Sequence, residues 1–323
     1  MPELPSDARW MAAAARLAAR GRPLSRPNPA VGAIIAKGGR VLSRGWTQPG
    51  GRPHAEAHAL AQIAPGEAQG ATLFVTLEPC AHASERGPAC AGLTADAGFG
   101  RVVIGIEDPD PRTAGNGIER LVAAGAEVVV LDDCSARESL AGYLSLKQRH
   151  RPLVTLKLAI SQDGFIARPK GGDQWITGEA ARAHVHAIRA TQDAILVGGG
   201  TWRSDMPRLD VRLPGIEGRS PERIILTKGA APIGATAISS PADIGALEGV
   251  QYLYVEGGAA TAEAFLEAGL VDRVHLYTAP ITVGSGVRAP AEVLAVAAGN
   301  ARWNCIEQRQ LGSDSFAAYS RVS

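Results

Sequence analysis

The chain has 323 residues, which is long for one hydrophobic core and favours two domains. Its composition, with 46% hydrophobic, 20% charged and 5% aromatic residues, excludes coiled-coil, collagen-like and disordered proteins. The formal net charge is +1, from 33 basic and 32 acidic residues, so no overall field attracts nucleic acid or anionic lipid. We therefore expect a small-molecule substrate, with neither nucleic acid nor a membrane as partner.

The first half of the chain alternates between helix and strand patterns. An amphipathic helix is predicted over residues 8–20, with Asp7 as its N-cap, and a β-hairpin turns at Gly38-Gly39. The alternation that follows predicts a sheet covered by helices on both faces. In chain order these elements are a helix at 54–63, a strand at 71–78, a helix at 90–98, a strand at 101–106, a helix at 117–125, a strand at 126–131 and one long helix within 131–152.

The second half has its own alternation, and a boundary is predicted near residues 148–152, where a basic cluster precedes Pro152. No repeat relates the halves, so two different α/β domains are expected, at 1–149 and 150–323. The predicted elements are a strand at 153–161, a helix at 179–190, strands at 193–198 and 223–227, a strand at 251–258 that runs into a helix at 259–269, and a strand at 273–280.

The location of the protein is predicted from its cysteines and its apolar runs. Four cysteines, unevenly spaced, do not make a disulfide framework and favour a reducing compartment. No run of 18 apolar residues is present, and the N-terminus lacks the apolar region of a secretory signal. We expect a cytoplasmic protein.

Two stretches of the first half contain the residue types of a zinc site, "PHAEAHAL" at 53–60 and "LEPCAHASERGPAC" at 77–90. His54, Cys80 and Cys90 supply the three protein ligands of a catalytic zinc, and one ion per chain is expected. Glu56 follows His54 by two residues in a helical first turn, where it can move protons without binding metal. Zinc deaminases divide these roles in the same way, with an H-x-E motif followed by P-C-x-x-C.

A competing interpretation is purely structural. His54 and Glu56 then cap a helix, and the two cysteines are small core residues. The ten-residue interval between the cysteines also departs from the short deaminase spacing. We expect His54 and Cys80 to lie at helix N-termini, where the helix dipole favours thiolate over thiol.

The sequence resembles the bifunctional riboflavin-biosynthesis deaminase/reductase family over nearly its whole length. The markers in the first half are "RWMAAAARLAARG", "PNPAVGAII", "GWTQPGGRPHAEAHAL" and "VTLEPCAH". Those in the second half include "KLAISQDGFIA", "DAILVGGGTWRSDMPRLDVR" and "YVEGGAATAEAFLEAGLVD". The resemblance implies a cytidine-deaminase-like α/β/α domain followed by a dihydrofolate-reductase-like α/β domain. In this family the long loop between the cysteines closes over a nucleotide substrate.

The resemblance also implies two successive reactions and their site residues. The first is zinc-dependent deamination of 2,5-diamino-6-(5-phosphoribosylamino)pyrimidin-4(3H)-one. The second is NADPH reduction of the ribosyl chain of 5-amino-6-(5-phosphoribosylamino)uracil to ribityl. NADPH contacts are implied for Ala159, Trp175, Thr201, Asp205, Gly258, Ala259, Ala260 and Thr261. Substrate contacts are implied for Asn28, Asp173, Arg189, Leu209, Arg212 and Glu256.

Some positions depart from the family pattern. The stretch "SERGPAC" is one residue longer than the usual loop, Thr47 stands where the family usually has His, and Asp173 and Met206 replace the usual Ser and acidic residue. Three alternatives stay open at this point: a paralogue for a related pyrimidine nucleotide, a nucleic-acid deaminase with an accessory domain, and a reductase with a non-catalytic zinc module. Two-domain enzymes of this kind are often dimers, so a homodimer is the expectation.

Overall fold

The computed structural model describes residues 6–82, 86–169 and 175–322. The chain divides into two compact units, Met1–His150 and Arg151–Ser323, and each has its own sheet and hydrophobic core. Within the described ranges, no helix combines the length and the apolar character needed to cross a membrane.

The first unit contains a five-stranded sheet in the order β2-β1-β3-β4-β5. The strand β1 is antiparallel to both of its neighbours, β2 and β3. The strands β3, β4 and β5 are parallel to one another. Parallel central strands are buried on both faces, which explains their continuous apolar sequences. The strands are β1 (Gly32–Lys37), β2 (Arg40–Trp46), β3 (Thr72–Leu77), β4 (Arg101–Ile106) and β5 (Glu127–Val130).

Among the described residues, six α-helices accompany this sheet, and two predictions about them are wrong. The first helix begins at Asp7, whose carboxylate binds Arg101 at 2.9 and 2.8 Å, so Asp7 is not its N-cap. The single helix predicted within 131–152 is two helices, separated at Leu140. The helices are α1 (Asp7–Ala18), α2 (Ala55–Leu60), α3 (Cys90–Asp96), α4 (Asn116–Ala123), α5 (Cys134–Ser139) and α6 (Ala141–Arg149).

The second unit contains an eight-stranded sheet in the order β10-β9-β8-β11-β6-β12-β15-β14. The first six strands of this order, from β10 to β12, are parallel to one another. The strand β15 is antiparallel to both of its neighbours, β12 and β14. A two-stranded ribbon pairs β7 with β13. The strands are β6 (Leu153–Ser161), β7 (Phe165–Ala167), β8 (Ala194–Gly198), β9 (Glu222–Leu226), β10 (Thr236–Ile238), β11 (Tyr252–Val255), β12 (Arg273–Ala279), β13 (Val287–Arg288), β14 (Trp303–Leu311) and β15 (Asp314–Arg321).

Four helices pack with this sheet: α7 (Glu179–Arg189), α8 (Gly199–Asp205), α9 (Ala259–Glu267) and α10 (Ala291–Ala297). Two of them begin directly at the carboxyl ends of parallel strands, α8 after β8 and α9 three residues after β11. In open α/β sheets, ligands bind in the crevice outside these strand ends. The fold therefore brings the two Gly-rich segments of the second half to one edge of the sheet.

Candidate active sites

The start of α2 holds the first two residues of the candidate metal centre. His54 is the N-cap residue of α2, and Glu56 lies in its first turn. The helix lies unusually close to β2, because a Cβ atom at Gly45 would come within 2.0 Å of the Ala55 carbonyl oxygen. Glycine at position 45 thus lets α2 approach the sheet, and Glu56 is only 3% exposed.

His54, Cys80 and Cys90 come together as the sequence predicted. The Nδ1 atom of His54 lies 3.5 Å from the Cys80 sulfur and 3.3 Å from the Cys90 sulfur. All three donor atoms lie within 4.8 Å of one another. With Zn–S near 2.3 Å and Zn–N of about 2.0–2.1 Å, a tetrahedral ion would hold nitrogen and sulfur about 3.6 Å apart. The donor set and its spacing therefore fit zinc.

The two cysteines differ in their electrostatic surroundings. The hydrogen bond from the Cys90 thiol lowers the pKa of Cys80 to about 4, and the hydrogen bond with His54 acts in the same direction. The same bond and burial raise the pKa of Cys90. The Cys90 backbone N–H, in the first turn of α3, donates to the Cys80 sulfur at 3.3 Å. Cys80 itself follows β3 in a loop, so the predicted position at a helix start is wrong, but its sulfur lies beside the N-terminus of α3.

Glu56 lies beside this cluster without belonging to the ligand set. Burial raises the pKa of its carboxyl group, while the nearby His54 opposes the shift. A carboxyl group with a raised pKa exchanges protons near neutral pH more readily than an exposed one. The position and the pKa of Glu56 both suit a proton carrier.

Asn28 contacts the other side of the same histidine. Its Nδ2 atom donates to the Gly51 carbonyl oxygen at 2.9 Å and lies 2.9 Å from His54 Nε2. Thr47, in contrast, is buried, and its hydroxyl oxygen accepts the Val31 N–H at 2.9 Å. Asn28 therefore borders the metal cluster, whereas the Thr47 side chain is committed to the backbone. Residues 83–85, which include the first two residues of the "SERGPAC" stretch, lie outside the described residues.

The sequence interpretation missed Glu78, which directly follows β3 and lies two residues before Cys80. Its carboxylate is 2% exposed and accepts four backbone N–H groups. Oε1 accepts from Gly117 and Ile118 at 2.9 and 3.1 Å, and Oε2 accepts from Asp108 and Gly115 at 3.2 and 3.1 Å. A charged residue at the end of an apolar strand was the signal available in the sequence.

In the second unit, the predicted substrate residues Arg189 and Glu256 bind each other. Arg189 Nε and NH2 donate to the two carboxylate oxygens at 2.7 and 2.9 Å, and NH1 donates to the Asp210 carbonyl oxygen at 3.0 Å. Both side chains are about nine-tenths buried. The Arg189 guanidinium and the Lys157 ammonium hold the pKa of Glu256 below its usual value although burial opposes this.

Two other predicted substrate residues, Leu209 and Arg212, lie beside Asp210. Leu209 is buried and has a positive φ of 53°. Arg212 is exposed, pairs with the Asp210 carboxylate at 3.3 Å, and donates its backbone N–H to His186 Nδ1. Asp173 lies outside the described residues.

Several predicted cofactor residues surround the N-terminus of α9. Gly258 is the N-cap of this helix, and Ala259, Ala260 and Thr261 form its first turn. A Cβ atom at Gly258 would lie 3.7 Å from the Thr201 hydroxyl. The first turns of α8 and α9 are thus adjacent, and helix N-termini favour phosphate groups.

Three further cofactor predictions fall on other elements. Ala159 lies on β6. Trp175 is 53% exposed, with the Arg182 guanidinium 5.2 Å from its ring centroid. Asp205, at the end of α8, accepts the Ser204 hydroxyl at 2.7 Å. These distances do not by themselves connect the three residues to one ligand.

Lys157 is a second residue that the sequence interpretation missed. It lies on β6 two residues before Ala159, so both side chains lie on the same face of the sheet. Burial lowers the pKa of its ammonium group, and the nearby Glu256 and Arg189 act in opposite directions. The apolar run "LVTLKLAIS" contained this one charged residue as a signal.

Two family models match the two halves. The model "Cytidine and deoxycytidylate deaminase zinc-binding region" matches residues 4–106, and "RibD C-terminal domain" matches 152–236 and 245–316. The riboflavin biosynthesis protein RibD of Bacillus amyloliquefaciens is 37% identical, covering 87% of this chain and 86% of that protein. RibD of Escherichia coli is 36% identical, with 87% and 90% covered.

Solved structures agree with these matches. RibD of Acinetobacter baumannii aligns with a TM-score of 0.86 and 32% identity, over 99% of this chain and all of that one. A Thermotoga maritima protein described as a diaminohydroxyphosphoribosylaminopyrimidine deaminase/5-amino-6-(5-phosphoribosylamino)uracil reductase aligns with a TM-score of 0.87 and 29% identity, over 98% and 99%. The expected fold, a cytidine-deaminase-like domain followed by a reductase domain, is confirmed. The chain therefore belongs to the RibD family of riboflavin-biosynthesis enzymes, which join a deaminase to a reductase.

Proposed function

We propose that residues 1–149 form a zinc-dependent deaminase and that residues 150–323 form an NADPH-dependent reductase. The deaminase acts on 2,5-diamino-6-(5-phosphoribosylamino)pyrimidin-4(3H)-one, and the reductase converts 5-amino-6-(5-phosphoribosylamino)uracil to its ribityl form. The observation that carries the proposal is the cluster of His54, Cys80 and Cys90 with the buried Glu56 beside it. The two activities named for the Thermotoga maritima relative support the same pair of reactions.

In the deaminase half, His54, Cys80 and Cys90 are the zinc ligands. Zinc, when bound, supplies Lewis-acid chemistry that makes water nucleophilic near neutral pH. Glu56 takes a proton from the attacking water and returns protons to the ring nitrogen and the leaving ammonia. Asn28, which borders His54, orients the pyrimidine. Three ligands among the described residues leave the fourth tetrahedral position to a reacting group, which favours catalysis over a structural zinc module.

In the reductase half, the predicted cofactor residues hold NADPH, which supplies the hydride for the ribosyl carbon. The helix N-terminus at Gly258 binds a phosphate group of the cofactor, with Ala259, Ala260, Thr261 and Thr201 around it. Ala159, Trp175 and Asp205 complete the cofactor site. Asp173, Leu209, Arg212, Arg189 and Glu256 bind the substrate.

Arg189 is suited to the substrate phosphate because its position is fixed before the substrate binds. A guanidinium group has five N–H donors, and three of them are used in the bonds to Glu256 and Asp210. Two N–H groups therefore remain for phosphate oxygens. The pairing with Glu256 holds the planar group in one orientation, which lowers the entropy cost of binding an anion.

The test measures ammonia release and NADPH oxidation separately, together with zinc content. The Glu56→Gln variant is expected to retain zinc and reductase activity and to lose at least about 10²-fold in deamination, the usual lower range for general acid–base catalysis. Glu67→Gln, which changes an exposed carboxylate of the same half, is the matched control. Undiminished ammonia release from Glu56→Gln would refute the deaminase assignment.

The same proposal includes a cytoplasmic homodimer. The four cysteines of the sequence are few and unevenly spaced, which supports a reducing compartment. Size-exclusion chromatography with light scattering tests the dimer, and a mass of one chain would reject it.

A further inference from the structure

A row of polar aromatic side chains lies on the face of the second sheet that carries Lys157. The Lys157 ammonium lies 5.8 Å from the ring centroid of Tyr277, a cation–π distance. Register pairs His275 with Lys157 and Tyr277 with Ala159 on the neighbouring strands β12 and β6. Tyr277 is fully buried and therefore forms part of the floor beneath the Lys157 ammonium.

The Tyr277 hydroxyl has partners on both sides. It lies 2.9 Å from His184 Nδ1, on α7, and it also accepts a hydrogen bond from the buried Tyr254 hydroxyl. Burial and the nearby Arg309 lower the pKa of His184, with Glu307 opposing, which favours the neutral ring. Because the Tyr277 oxygen already accepts the Tyr254 O–H, we assign the Tyr277 O–H as the donor to His184 Nδ1. This hydrogen bond fixes where the phenol ring lies.

His275 extends the row at its other end. Its Nδ1 atom lies 3.4 Å from the Tyr254 hydroxyl, and burial lowers its pKa to about 3, so this ring also stays neutral. Phe316 packs against His184, His275 and Tyr277, with ring centroids 4.7 to 5.3 Å apart. Hydrogen bonds and ring packing together leave the Tyr277 ring one orientation.

We propose that Tyr277, held by His184 and Tyr254, is a positioning residue that keeps the Lys157 ammonium at the reductase site. This inference rests on the proposed reductase function, because Lys157 shares its face with the predicted cofactor residue Ala159. A lysine side chain has four rotatable bonds and loses much rotamer freedom when it is fixed. A ring face of fixed orientation beneath the ammonium defines one place for it, between the charges of Glu256 and Arg189.

Helix α7 connects this device to the substrate residues. It carries His184 near its middle and Arg189 at its end, so one helix supplies the acceptor for Tyr277 and the partner of Glu256. Loss of the His184 hydrogen bond would therefore release the ring while the Arg189 pair still holds the helix. Substitutions at His184 and Tyr277 therefore test the positioning of Lys157 while α7 stays in place.

The position of Lys157 is read directly by NMR of ¹³C-methylated lysines without substrate. The chain contains five lysines, and Lys157→Arg identifies the Lys157 signal. In the wild type this signal should show a ring-current shift from Tyr277. Tyr277→Leu should abolish the shift, and Tyr277→Phe, which keeps the ring without its hydroxyl, should reduce it and broaden the signal. Tyr319→Phe is the matched control, because it changes a buried tyrosine in the main hydrophobic core of the second unit.

The kinetics of the two activities give a second test of this proposal. Tyr277→Phe and His184→Leu should lower the reductase kcat between about tenfold and 10²-fold, since small misplacement of a reacting group has effects of this order. Ammonia release from the same preparations should stay at the wild-type rate, which shows that the first unit is intact, and a cooperative urea unfolding transition of the second unit shows that this unit is folded. His184→Asn, whose side-chain oxygen can replace Nδ1 as acceptor, should recover most of the activity.

Three results decide the question. A wild-type Lys157 signal and kcat in both Tyr277→Phe and His184→Leu would overturn the positioning role. Equal losses in His184→Asn and His184→Leu would overturn it too, because the acceptor would then be irrelevant. If the wild-type chain oxidises no NADPH with the aminouracil phosphate, the reductase proposal fails, and the NMR comparison alone still decides whether Tyr277 positions Lys157.

Discussion

The carboxylate of Glu78 offers the sharpest test of how the fold holds the metal centre. Glu78→Gln replaces one carboxylate oxygen by an NH2 group, which faces two backbone N–H donors instead of accepting from them. Two of the four hydrogen bonds are lost, whichever oxygen is replaced. Hydrogen bonds to a charged acceptor contribute about 1.5–3 kcal/mol each, so the local cost is about 3–6 kcal/mol.

Hydrogen exchange of the amides at the start of α4 measures this cost. Each 1.4 kcal/mol is a factor of ten, so the protection of residues 115–118 should fall by about 10²- to 10⁴-fold. Glu119→Gln, an exposed residue on the same helix, is the control and should leave protection unchanged. Protection within about threefold of the wild type in Glu78→Gln would refute the reasoning, since two lost bonds cannot cost less than 1 kcal/mol by this account.

The same contact should govern zinc retention, because Cys80 lies two residues beyond Glu78. A Cβ atom at Gly117 would come within 2.2 Å of the Pro79 carbonyl oxygen and 2.9 Å of Glu78 Oε1. Gly117→Ala should therefore push the loop of Cys80 away from α4 without changing any charge. We expect faster zinc loss to a chelator from both variants, measured with a colorimetric zinc indicator.

Three further predictions concern metal removal, the buried ion pair and acid stability. Removal of zinc with a chelator should abolish ammonia release and leave NADPH oxidation with the aminouracil substrate intact; loss of both activities would contradict separate sites. Glu256→Gln leaves the Arg189 charge buried without its partner, so urea unfolding of the second unit should show a loss of about 3–5 kcal/mol, together with loss of reductase activity. The Arg112 and Lys147 cations hold the pKa of Asp110 well below its usual value, so this pairing stabilises the fold above the unfolded pKa of about 3.9 and is lost as pH falls through the folded pKa. Asp110→Asn should therefore flatten the acid limb of stability against pH, and an unchanged acid limb would refute the attribution.

The metal centre could be predicted from sequence because each ligand lies at a boundary that local patterns reveal. His54 precedes a helix, Cys80 follows an apolar strand, and Cys90 begins the next helix. The ten-residue interval between the cysteines is compatible with the cluster, since Cys90 begins α3 and its backbone N–H donates to the Cys80 sulfur. The roles of the ligands and of Glu56 remain predictions until metal and kinetics are measured.

The edge strand β14 was not predicted, and its exposure explains why. The strand β14 is the edge of the sheet, and its middle residues are exposed on both faces. An edge strand with both faces in solvent has no alternation of apolar and polar residues, so the period-two signal is missing. The helix break at Leu140 was missed for the opposite reason, because the apolar pattern continues through it from α5 to α6.

Contacts between distant residues were also beyond the sequence. Glu78 meets backbone groups about forty positions later, and Arg189 meets Glu256 at a separation of 67. Neither pairing follows from spacing, because parallel strands bring their carboxyl ends together through long crossovers. Lys157 was missed because one lysine in a strand has no pattern of its own.

Glu78 and Glu256 occupy equivalent places, each directly after a buried parallel strand, yet their partners give them different capacities. All four partners of Glu78 are backbone N–H groups, three at the start of α4 and one at Asp108 after β4, which no ligand can displace without unfolding this part of the chain. The partner of Glu256 is a guanidinium that retains two N–H donors for an arriving phosphate. Substrate should therefore change hydrogen exchange and stability around Glu256, whereas protection of α4 by Glu78 should be the same with and without substrate. The carboxylate held by backbone groups serves the fold, and the carboxylate held by a side chain is the one available for function.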